Sequence, residues 1–372
     1  MKVAVPAEIK NNEFRVAITP AGVHELVTHG HEVIVQSGAG DGSSIPDSAY
    51  VAAGATISAD ASSTWAAGDM VLKVKEPIES EYGYFRDDLL LFTYLHLAAE
   101  PELTRALLDS GITAIAYETV QLPSRALPLL APMSEVAGRL APIVGANVML
   151  RPNGGPGLLV PGVPGTYPAS IVVLGGGVAG TNAVSVSVGL GADVTVLDTN
   201  IQRLRELDAI YAGRIKTIAS NTFEIDRAVV AADMVIGSVL VPGAKAPKLV
   251  SNELVSRMKP GSVLVDIAID QGGCFADSHP TTHADPTFRV HNSLFYCVAN
   301  MPGAVANTST YALTNATLPY VRSVANLGWI EALRADASLA LGLNIHAGSV
   351  VNEAVATAHG LEHEPLAVAL GR

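Results

Sequence analysis

Short apolar runs alternate with amphipathic stretches along the first part of the chain. The runs are rich in β-branched or aliphatic residues and are too short for helices, so we predict strands there. The predicted strands are residues 2–5, 32–36, 70–75, 89–96 and 113–118, and the predicted helices are 19–29, 47–53 and 101–110. Strands that alternate with helices predict a mostly parallel sheet covered on both faces.

A second series of the same kind starts at Ser170, after a predicted helix over residues 134–150 and a loop over 151–168 that is rich in glycine and proline. Its predicted strands are residues 171–174, 194–198, 215–219, 234–240, 262–269 and 294–299, and a helix over 308–325 and a helical tail follow them. The predicted fold class is therefore α/β, with two doubly wound, Rossmann-like domains.

The strand at 171–174 runs directly into the stretch Gly-Gly-Gly-Val-Ala-Gly at residues 175–180. This GxGxxG spacing stands where a dinucleotide-binding turn needs it, after a buried strand and before a helix. Gly175 permits a tight turn, Gly177 permits close approach of a pyrophosphate, and Gly180 permits close packing of the helix on the strand. We predict the helix although its alternating valines imitate a strand, because the glycine motif requires it.

An acidic residue at the end of the next predicted strand indicates which dinucleotide binds. Asp198 lies 18 residues after Gly180, where a carboxylate can accept hydrogen bonds from the adenosine ribose and would repel a 2′-phosphate. NAD is therefore favoured over NADP. For Arg203, just beyond, contact with the adenosine and a solvated position on a helix are equally good interpretations.

Charge and cysteine content exclude several other classes of protein. A net charge of −12 argues against partners such as nucleic acid or an anionic membrane surface. Cys274 and Cys297 are too few for a disulfide framework or a zinc site, and they favour a reducing cytoplasm. Residues 152–192 carry no charge and could in length cross a bilayer, but their glycine, proline and polar residues argue against a span. We expect no metal.

Several longer motifs carry a resemblance to a known family. Residues 6–20, PAEIKNNEFRVAITP, resemble the N-terminal signature shared by alanine dehydrogenases and the NAD-binding subunit of proton-translocating transhydrogenases. Further blocks look like those of alanine dehydrogenases: KVKEP at 73–77, FTYLHL at 92–97, APMSE at 131–135, DIAIDQGG at 266–273 and NMPG at 300–303. The resemblance covers almost the whole chain.

The resemblance implies roles for individual residues. Arg15 and Lys75 match residues that hold the substrate carboxylate, His96 matches the general acid and base, and Asp270 matches the catalytic carboxylate beside the nicotinamide. The expected cofactor contacts are Ser134, Gly175, Gly177, Val178, Gly180, Asp198, Arg203, Ser220, Val239, Leu240, Ile267, Asp270, Val298, Asn300 and Met301.

The resemblance also implies an organisation for the whole chain. An NAD-binding domain over residues 134–305 would be inserted into a discontinuous substrate domain formed by residues 1–133 and 306–372, with the helices at 134–150 and 308–325 as a hinge. Hexamers are usual in the family, so a homohexamer is expected.

The four reactive residues also form a reasonable site on chemical grounds. Lys75 and His96 each end a predicted strand, Arg15 follows the first strand, and Asp270 closes a strand of the second domain. Ligands of open α/β sheets bind beyond the carboxyl ends of the strands, so we expect the four to face one cleft. A guanidinium can hold a carboxylate with two parallel bonds, and an imidazole can move protons near neutral pH.

Each of these residues also has a structural interpretation. Arg15 could be a solvated loop residue, Lys75 a surface lysine, as we expect Lys73 to be, and Asp270 a cap for the next turn. Further candidates are more ambiguous: Asp266 is expected to be structural, Glu13 and Glu118 could support the reactive residues, and Tyr94 and Met133 could line a pocket for the substrate methyl group or belong to the core.

The predicted reaction is the NAD-dependent oxidation of L-alanine to iminopyruvate, which is hydrated and released as pyruvate and ammonium, and its reverse. Two alternatives stay open, a transhydrogenase subunit that passes hydride to a partner and a non-catalytic NAD sensor. Loss of NADH on mixing with pyruvate and ammonium would distinguish the enzyme from both. The chain departs from the usual family pattern at Ala4, Pro156, Pro161, Ser187 and His279, all outside the catalytic set.

Overall fold

The computed structural model describes residues 1–239 and 246–371. Its strands are β1 Lys2–Val5, β2 Glu32–Gln36, β3 Thr56–Ser58, β4 Met70–Leu72, β5 Leu90–Thr93, β6 Thr113–Ala116, β7 Ser170–Leu174, β8 Asp193–Asp198, β9 Lys216–Ala219, β10 Met234–Gly237, β11 Val263–Asp266, β12 Thr287–Val290, β13 Ser293–Tyr296, β14 Leu343–His346 and β15 Ser349–Val350. Its α-helices are α1 Pro20–Thr28, α2 Asp47–Ala52, α3 Ala61–Ala67, α4 Pro101–Ser110, α5 Ala131–Val148, α6 Val178–Gly189, α7 Ile201–Tyr211, α8 Thr222–Ala231, α9 Asn252–Ser256, α10 Ala306–Leu327, α11 Trp329–Ala335, α12 Ala337–Ala340, α13 Glu353–His359 and α14 Leu366–Ala369.

The chain forms two compact units, each with its own sheet. Unit 1 consists of Met1–Met133 and Val305–Arg372, and unit 2 consists of Ser134–Ala304. The sheet of unit 1 has the strand order β15-β14-β6-β5-β4-β1-β2-β3, and all its pairs are parallel except those that β14 makes with β6 and β15.

The order of the strands in unit 1 reverses between β1 and β4. From β1 the chain proceeds through β2 to β3 on one side, and from β4 it proceeds through β5 to β6 on the other. The loops that leave neighbouring strands in opposite directions open a gap at their carboxyl ends, where ligands of such sheets bind. Residues 6–18 follow β1 and residues 73–78 follow β4, so both segments lie at this reversal.

Unit 2 shows the same arrangement. Its sheet has the order β12-β13-β11-β10-β7-β8-β9 and is parallel except for the β12–β13 pair at one edge. The chain runs from β7 through β8 to β9 in one direction, and from β10 towards β11 in the other, so the reversal lies between β7 and β10. The glycine-rich stretch at 175–180 follows β7 and therefore lies at this point.

Helices cover both faces of the unit 2 sheet. The evidence is that β7 contributes side chains to two separate hydrophobic cores. Ile171 and Val173 belong to one hydrophobic cluster, and Val172 and Leu174 belong to the other. Successive side chains of a strand point to opposite faces, so both faces of this strand are buried. The predicted α/β fold class with two doubly wound domains is confirmed, and so is the helix that carries the alternating valines.

Several predicted strands end too late. Those predicted at 70–75, 89–96, 262–269 and 294–299 end at Leu72, Thr93, Asp266 and Tyr296, and the one predicted at 234–240 ends at Gly237. The apolar runs continue past the strands because the following loops are buried too: Val74 and Leu95 are fully buried and Ile269 is 4% exposed. The tail predicted as helical also contains β14 and β15, and β3, α3 and β12 were not predicted.

Candidate active site

The glycine-rich turn of unit 2 has the three properties that its spacing predicts. Gly175 has φ +100°, a conformation that favours glycine. A Cβ atom on Gly180 would lie 1.7 Å from the Gly175 carbonyl oxygen, so only glycine lets α6 pack this closely on the turn. A Cβ atom on Gly177 would meet no heavy atom within 4 Å, so space for a ligand lies beside it. Gly177 is also the N-cap of α6 without a side-chain cap, so the first-turn N–H groups face a site suited to a pyrophosphate.

Two side chains from the next strand and helix hold the Gly176 peptide. The Asp198 carboxylate accepts from the Gly176 N–H (2.6 Å), and Arg203 Nε donates to the Gly176 carbonyl oxygen (2.7 Å). Arg203 also donates to the Thr181 hydroxyl and forms an ion pair with Glu206 at 2.7 Å. Arg203 therefore stabilises the glycine turn through hydrogen bonds and is not simply a solvated helix residue. Its contact with adenosine stays a prediction.

The other predicted cofactor residues of unit 2 lie mostly beyond the carboxyl ends of its strands. They are Ser220 after β9, Val239 after β10, Ile267 after β11, and Val298, Asn300 and Met301 after β13, with Val178 in the first turn of α6. Ser134 lies one helical turn before Gly138, and a Cβ on Gly138 would lie 2.1 Å from the Ala179 carbonyl oxygen, so this face of α5 packs on the start of α6. Leu240, the remaining predicted contact, lies outside the described residues.

Asp270 does not close a strand, contrary to the prediction. The strand ends at Asp266, and Asp270 lies exposed in a 3₁₀ turn over Ile269–Gln271. Asp266 holds the loop that follows: it accepts from the backbone N–H groups of Ala268 and Cys274 and from the Ser278 hydroxyl. Burial raises the pKa of Asp266, and these hydrogen bonds oppose the rise. The expected structural role of Asp266 is confirmed, and it places the turn that carries Asp270.

Arg15 in unit 1 is buried rather than solvated. Its side chain is 2% exposed, and its Nε and Nη2 atoms form a two-point ion pair with Glu13. Although burial opposes the charged form, Glu13 raises the pKa of Arg15 above its ordinary value. The third nitrogen, Nη1, lies 2.9 Å from Met133 Sδ.

Lys75 is half-buried, and the backbone around it is held by the end of β5. The Val74 carbonyl oxygen accepts from the Tyr94 N–H (3.3 Å), and the Lys75 carbonyl oxygen accepts from the Thr93 hydroxyl (3.1 Å). Thr93 and Tyr94 lie at the carboxyl end of β5, directly before His96. The segment after β4 therefore runs beside the segment after β5, which carries Lys75 towards His96.

His96 has an unusual backbone conformation, with φ +50° in the left-handed region that a non-glycine residue enters only at a cost. Glu118 offsets this cost, because one carboxylate oxygen accepts from the His96 N–H at 2.6 Å and both oxygens lie 3.2 Å from the Leu95 nitrogen. The Tyr94 ring stacks on the imidazole with its centroid 5.8 Å away and the planes 6° apart. His96 keeps 39% of its side chain exposed, so this support leaves the imidazole accessible.

Arg15, Lys75 and His96 influence neighbouring ionisable groups of unit 1. Burial alone would raise the pKa of the Glu76 carboxyl, but attraction to Lys75 and His96, together with its ion pair to Lys10, lowers it below its ordinary value. Burial raises the pKa of Tyr94, and Arg15 acts against that rise, so the phenol beside His96 also lies near the guanidinium. Glu13 and Glu118, left ambiguous by the sequence, are the direct supports of Arg15 and His96.

Sequence reasoning was wrong about Lys73. It was expected on the surface, but its side chain is 1% exposed and forms ion pairs with Glu8 and Glu81. The available signal was its position directly after the apolar run of β4, where a lysine is costly unless it is paired.

Among the departures from the family pattern, Pro156 and Pro161 pack beside Gly261 and Gly191.

No group of three or more His, Cys, Asp or Glu side chains that could hold a metal ion occurs within residues 1–239 and 246–371. In the same ranges no helix has both the length and the apolar character needed to cross a membrane.

Comparisons with known proteins agree along the whole chain. A family model described as alanine dehydrogenase/PNT, N-terminal domain, matches residues 4–137, and one described as alanine dehydrogenase/PNT, C-terminal domain, matches residues 141–353. The chain is 61% identical over 369 residues to an alanine dehydrogenase of Mycobacterium tuberculosis (strain ATCC 25618 / H37Rv), covering 99% of this chain and 100% of the relative. It is 56% identical over 371 residues to an alanine dehydrogenase of Halomonas elongata, covering 100% of both.

Two solved structures are similar to this chain. An L-alanine dehydrogenase superposes with a TM-score of 0.94 at 50% identity, covering 97% of this chain and 99% of that one. A transhydrogenase from Sinorhizobium meliloti superposes with a TM-score of 0.82 at 27% identity, covering 95% of this chain and 100% of that one.

Proposed function

Because this chain belongs to the alanine dehydrogenase/PNT family, we propose that it interconverts L-alanine with pyruvate and ammonium, using NAD. The observation that carries the proposal is the placement of Arg15 and Lys75 in the segments after β1 and β4, at the strand reversal of unit 1, with His96 after the neighbouring strand β5. Two cations can bind a carboxylate, and an accessible imidazole can transfer protons, which are the two functions that the reaction needs from this unit.

The residues of unit 2 fit NAD. The open space beside Gly177 would receive the pyrophosphate, and the uncapped start of α6 would supply N–H donors to it. The Asp198 carboxylate accepts from the Gly176 N–H of the glycine turn, which supports the proposal that it lies near the adenosine ribose, where it would repel a 2′-phosphate. When bound, NAD supplies the hydride acceptor for the oxidation of alanine.

The proposed roles in unit 1 follow from charge and position. Arg15 and Lys75 would bind the substrate carboxylate, and holding it would fix the orientation of the reacting carbon. His96 would move protons as water adds to the imine and ammonia leaves, with Glu118 fixing its backbone and Tyr94 its ring plane. Asp270 of unit 2 would supply a carboxylate to the same reaction; its cooperation with His96 stays a prediction from the family resemblance.

The proposal includes the assembly and the compartment expected from the sequence. By resemblance to the family we propose a homohexamer, and light scattering should then give about six times the chain mass. The two cysteines are both free and buried, which agrees with a reducing cytoplasm.

The test is an absorbance assay at 340 nm with purified protein. NADH should be consumed when pyruvate and ammonium are both present, and omission of either should stop the loss. NADH consumption that does not depend on ammonium would mean another reaction. No consumption at all would favour a transhydrogenase subunit or a non-catalytic NAD sensor.

A further inference from the structure

Three ionisable side chains form a buried cluster beside the segment that carries Lys75. Lys73 Nζ lies 3.0 Å from Glu8 Oε2 and 3.0 Å from Glu81 Oε1. The exposed fractions of the side chains are 1% for Lys73, 3% for Glu8 and 4% for Glu81. Each ion loses its hydration on burial, so such a cluster is weak as a source of stability and is better explained by what it positions.

Glu8 uses its second carboxylate oxygen on the backbone next to Lys75. Its Oε1 atom accepts from the Val74 N–H, and the carbonyl oxygens of Val74 and Lys75 are bound by Tyr94 and Thr93. The carboxylate therefore closes the one side of this segment that β5 does not hold. The bond from the Val74 N–H to Glu8 therefore fixes the backbone one residue before Lys75.

Glu8 also belongs to the segment that carries Arg15. Both lie between β1 and α1, in residues 6–18. The link from Glu8 to Lys73 and Val74 therefore ties the Arg15 segment to the Lys75 segment, across the strand reversal of unit 1. Burial raises the pKa of Glu8, with Glu13 adding to the rise, and Lys73 and the Val74 N–H act against it.

We propose that Glu8 is a positioning residue that sets the distance between Arg15 and Lys75, the two cations that would share the substrate carboxylate. Lys73 holds the Glu8 carboxylate in place. Glu81 balances the charge of Lys73 and accepts from the Ile78 N–H (3.0 Å), a bond that a glutamine oxygen can keep, but it makes no bond to Val74. This inference rests on the proposed function, because only there do Arg15 and Lys75 bind one substrate.

The experiment compares Glu8→Ala and Glu8→Gln with Glu81→Gln as the matched control, in steady-state assays of pyruvate and ammonium with NADH. Glu8→Ala should raise the KM for pyruvate about tenfold, as expected when one hydrogen bond to a charged group is lost, with the KM for NADH unchanged. Glu8→Gln keeps an oxygen for the Val74 N–H and should recover most of the loss. Glu81→Gln removes one carboxylate from Lys73 without touching Val74, and should stay within about twofold of the parent KM.

Equal rises in the pyruvate KM for Glu8→Ala and Glu81→Gln would show a merely structural cluster and overturn the proposal, as would an equal rise in the KM for NADH. If Glu8→Ala does not fold, Glu8→Asp decides: it keeps the charge but shortens the reach to Val74, so an unchanged KM for pyruvate would also overturn it. A parent protein without activity on pyruvate and ammonium would refute the proposed function and this inference together. An active parent with an insensitive Glu8 would refute the inference alone.

Discussion

Replacement of Gly177 and of Gly180 by alanine should impair the protein in different ways. In Gly180→Ala the new methyl group would lie 1.7 Å from the Gly175 carbonyl oxygen and 2.8 Å from the Ser238 hydroxyl oxygen. A carbon and a carbonyl oxygen normally stay about 3.3 Å apart, so α6 must retreat by roughly 1.6 Å. The methyl group would also crowd the Ser238 hydroxyl, which donates to the carbonyl oxygens of Leu174 and Gly175 at 2.9 Å each.

Overpacking of this kind costs about 1–3 kcal/mol, which lowers Tm by roughly 2–12 °C for a unit of this size. Gly177→Ala should not do this, because Gly177 has an ordinary φ of −66° and its Cβ direction is open. Its small loss as an N-cap and its gain in backbone stiffness nearly cancel. The methyl group would instead occupy the proposed space of the pyrophosphate, so the Kd for NADH should rise at least about tenfold.

Thermal unfolding and NADH fluorescence titration of the two variants, measured side by side, test both statements. The expected pattern is a lowered Tm for Gly180→Ala, and a weakened NADH affinity at unchanged Tm for Gly177→Ala. A Gly180→Ala variant that melts like the parent would refute the packing argument. A Gly177→Ala variant that binds NADH normally would mean that the pyrophosphate lies elsewhere.

Three further variants or treatments test other parts of the site. Asp198→Ala should weaken NADH binding and reduce the discrimination against NADPH, so that the KM values for NADH and NADPH become more alike. An unchanged preference for NADH would mean that Asp198 does not contact the ribose. His96→Ala should lower turnover by about 10²–10⁴-fold while NADH still binds, and turnover near that of the parent would exclude the proton-transfer role. Burial raises the pKa of Cys274 and Cys297 to about 12 each, so iodoacetamide at about pH 8.5 should label neither thiol in the folded protein and both in urea. The stability that comes from burying neutral thiols is present below their unfolded pKa and is lost as pH rises towards 12, and rapid native labelling would contradict this.

The glycine turn and the alternation of strands and helices could be predicted because both depend on local pattern. The GxGxxG spacing after β7 predicts a tight turn at Gly175, room for a ligand to approach Gly177, and close helix packing at Gly180. The geometry of the three glycines agrees with all three predictions. The starts of the main strands were also predicted closely, because an apolar run begins where the chain enters the core.

The ends of strands and the role of Lys73 depend on partners far along the chain. Burial of Val74 and Leu95 comes from packing around the site, so hydropathy cannot separate these loop residues from strand. Lys73 can be buried because Glu8 and Glu81 supply its counter-charges, and the sequence around position 73 does not indicate these partners. The left-handed backbone of His96 is another such case, since the carboxylate that supports it belongs to Glu118.

The pairing of β14 with β6 affects the order in which the chain can fold during synthesis. Ile115 in β6 pairs with Leu343 in β14, which leaves the ribosome only after all of unit 2 has been made. Unit 2 is formed by a single stretch of chain, so it can complete its sheet before β14 has been synthesised. Until then β6 remains an unpaired edge strand of unit 1. Closing so long a stretch of chain is slow, and an unpaired edge strand is prone to pair with other chains. A chain stalled before residue 343 should therefore be an aggregation hazard, although its dinucleotide-binding unit is already folded.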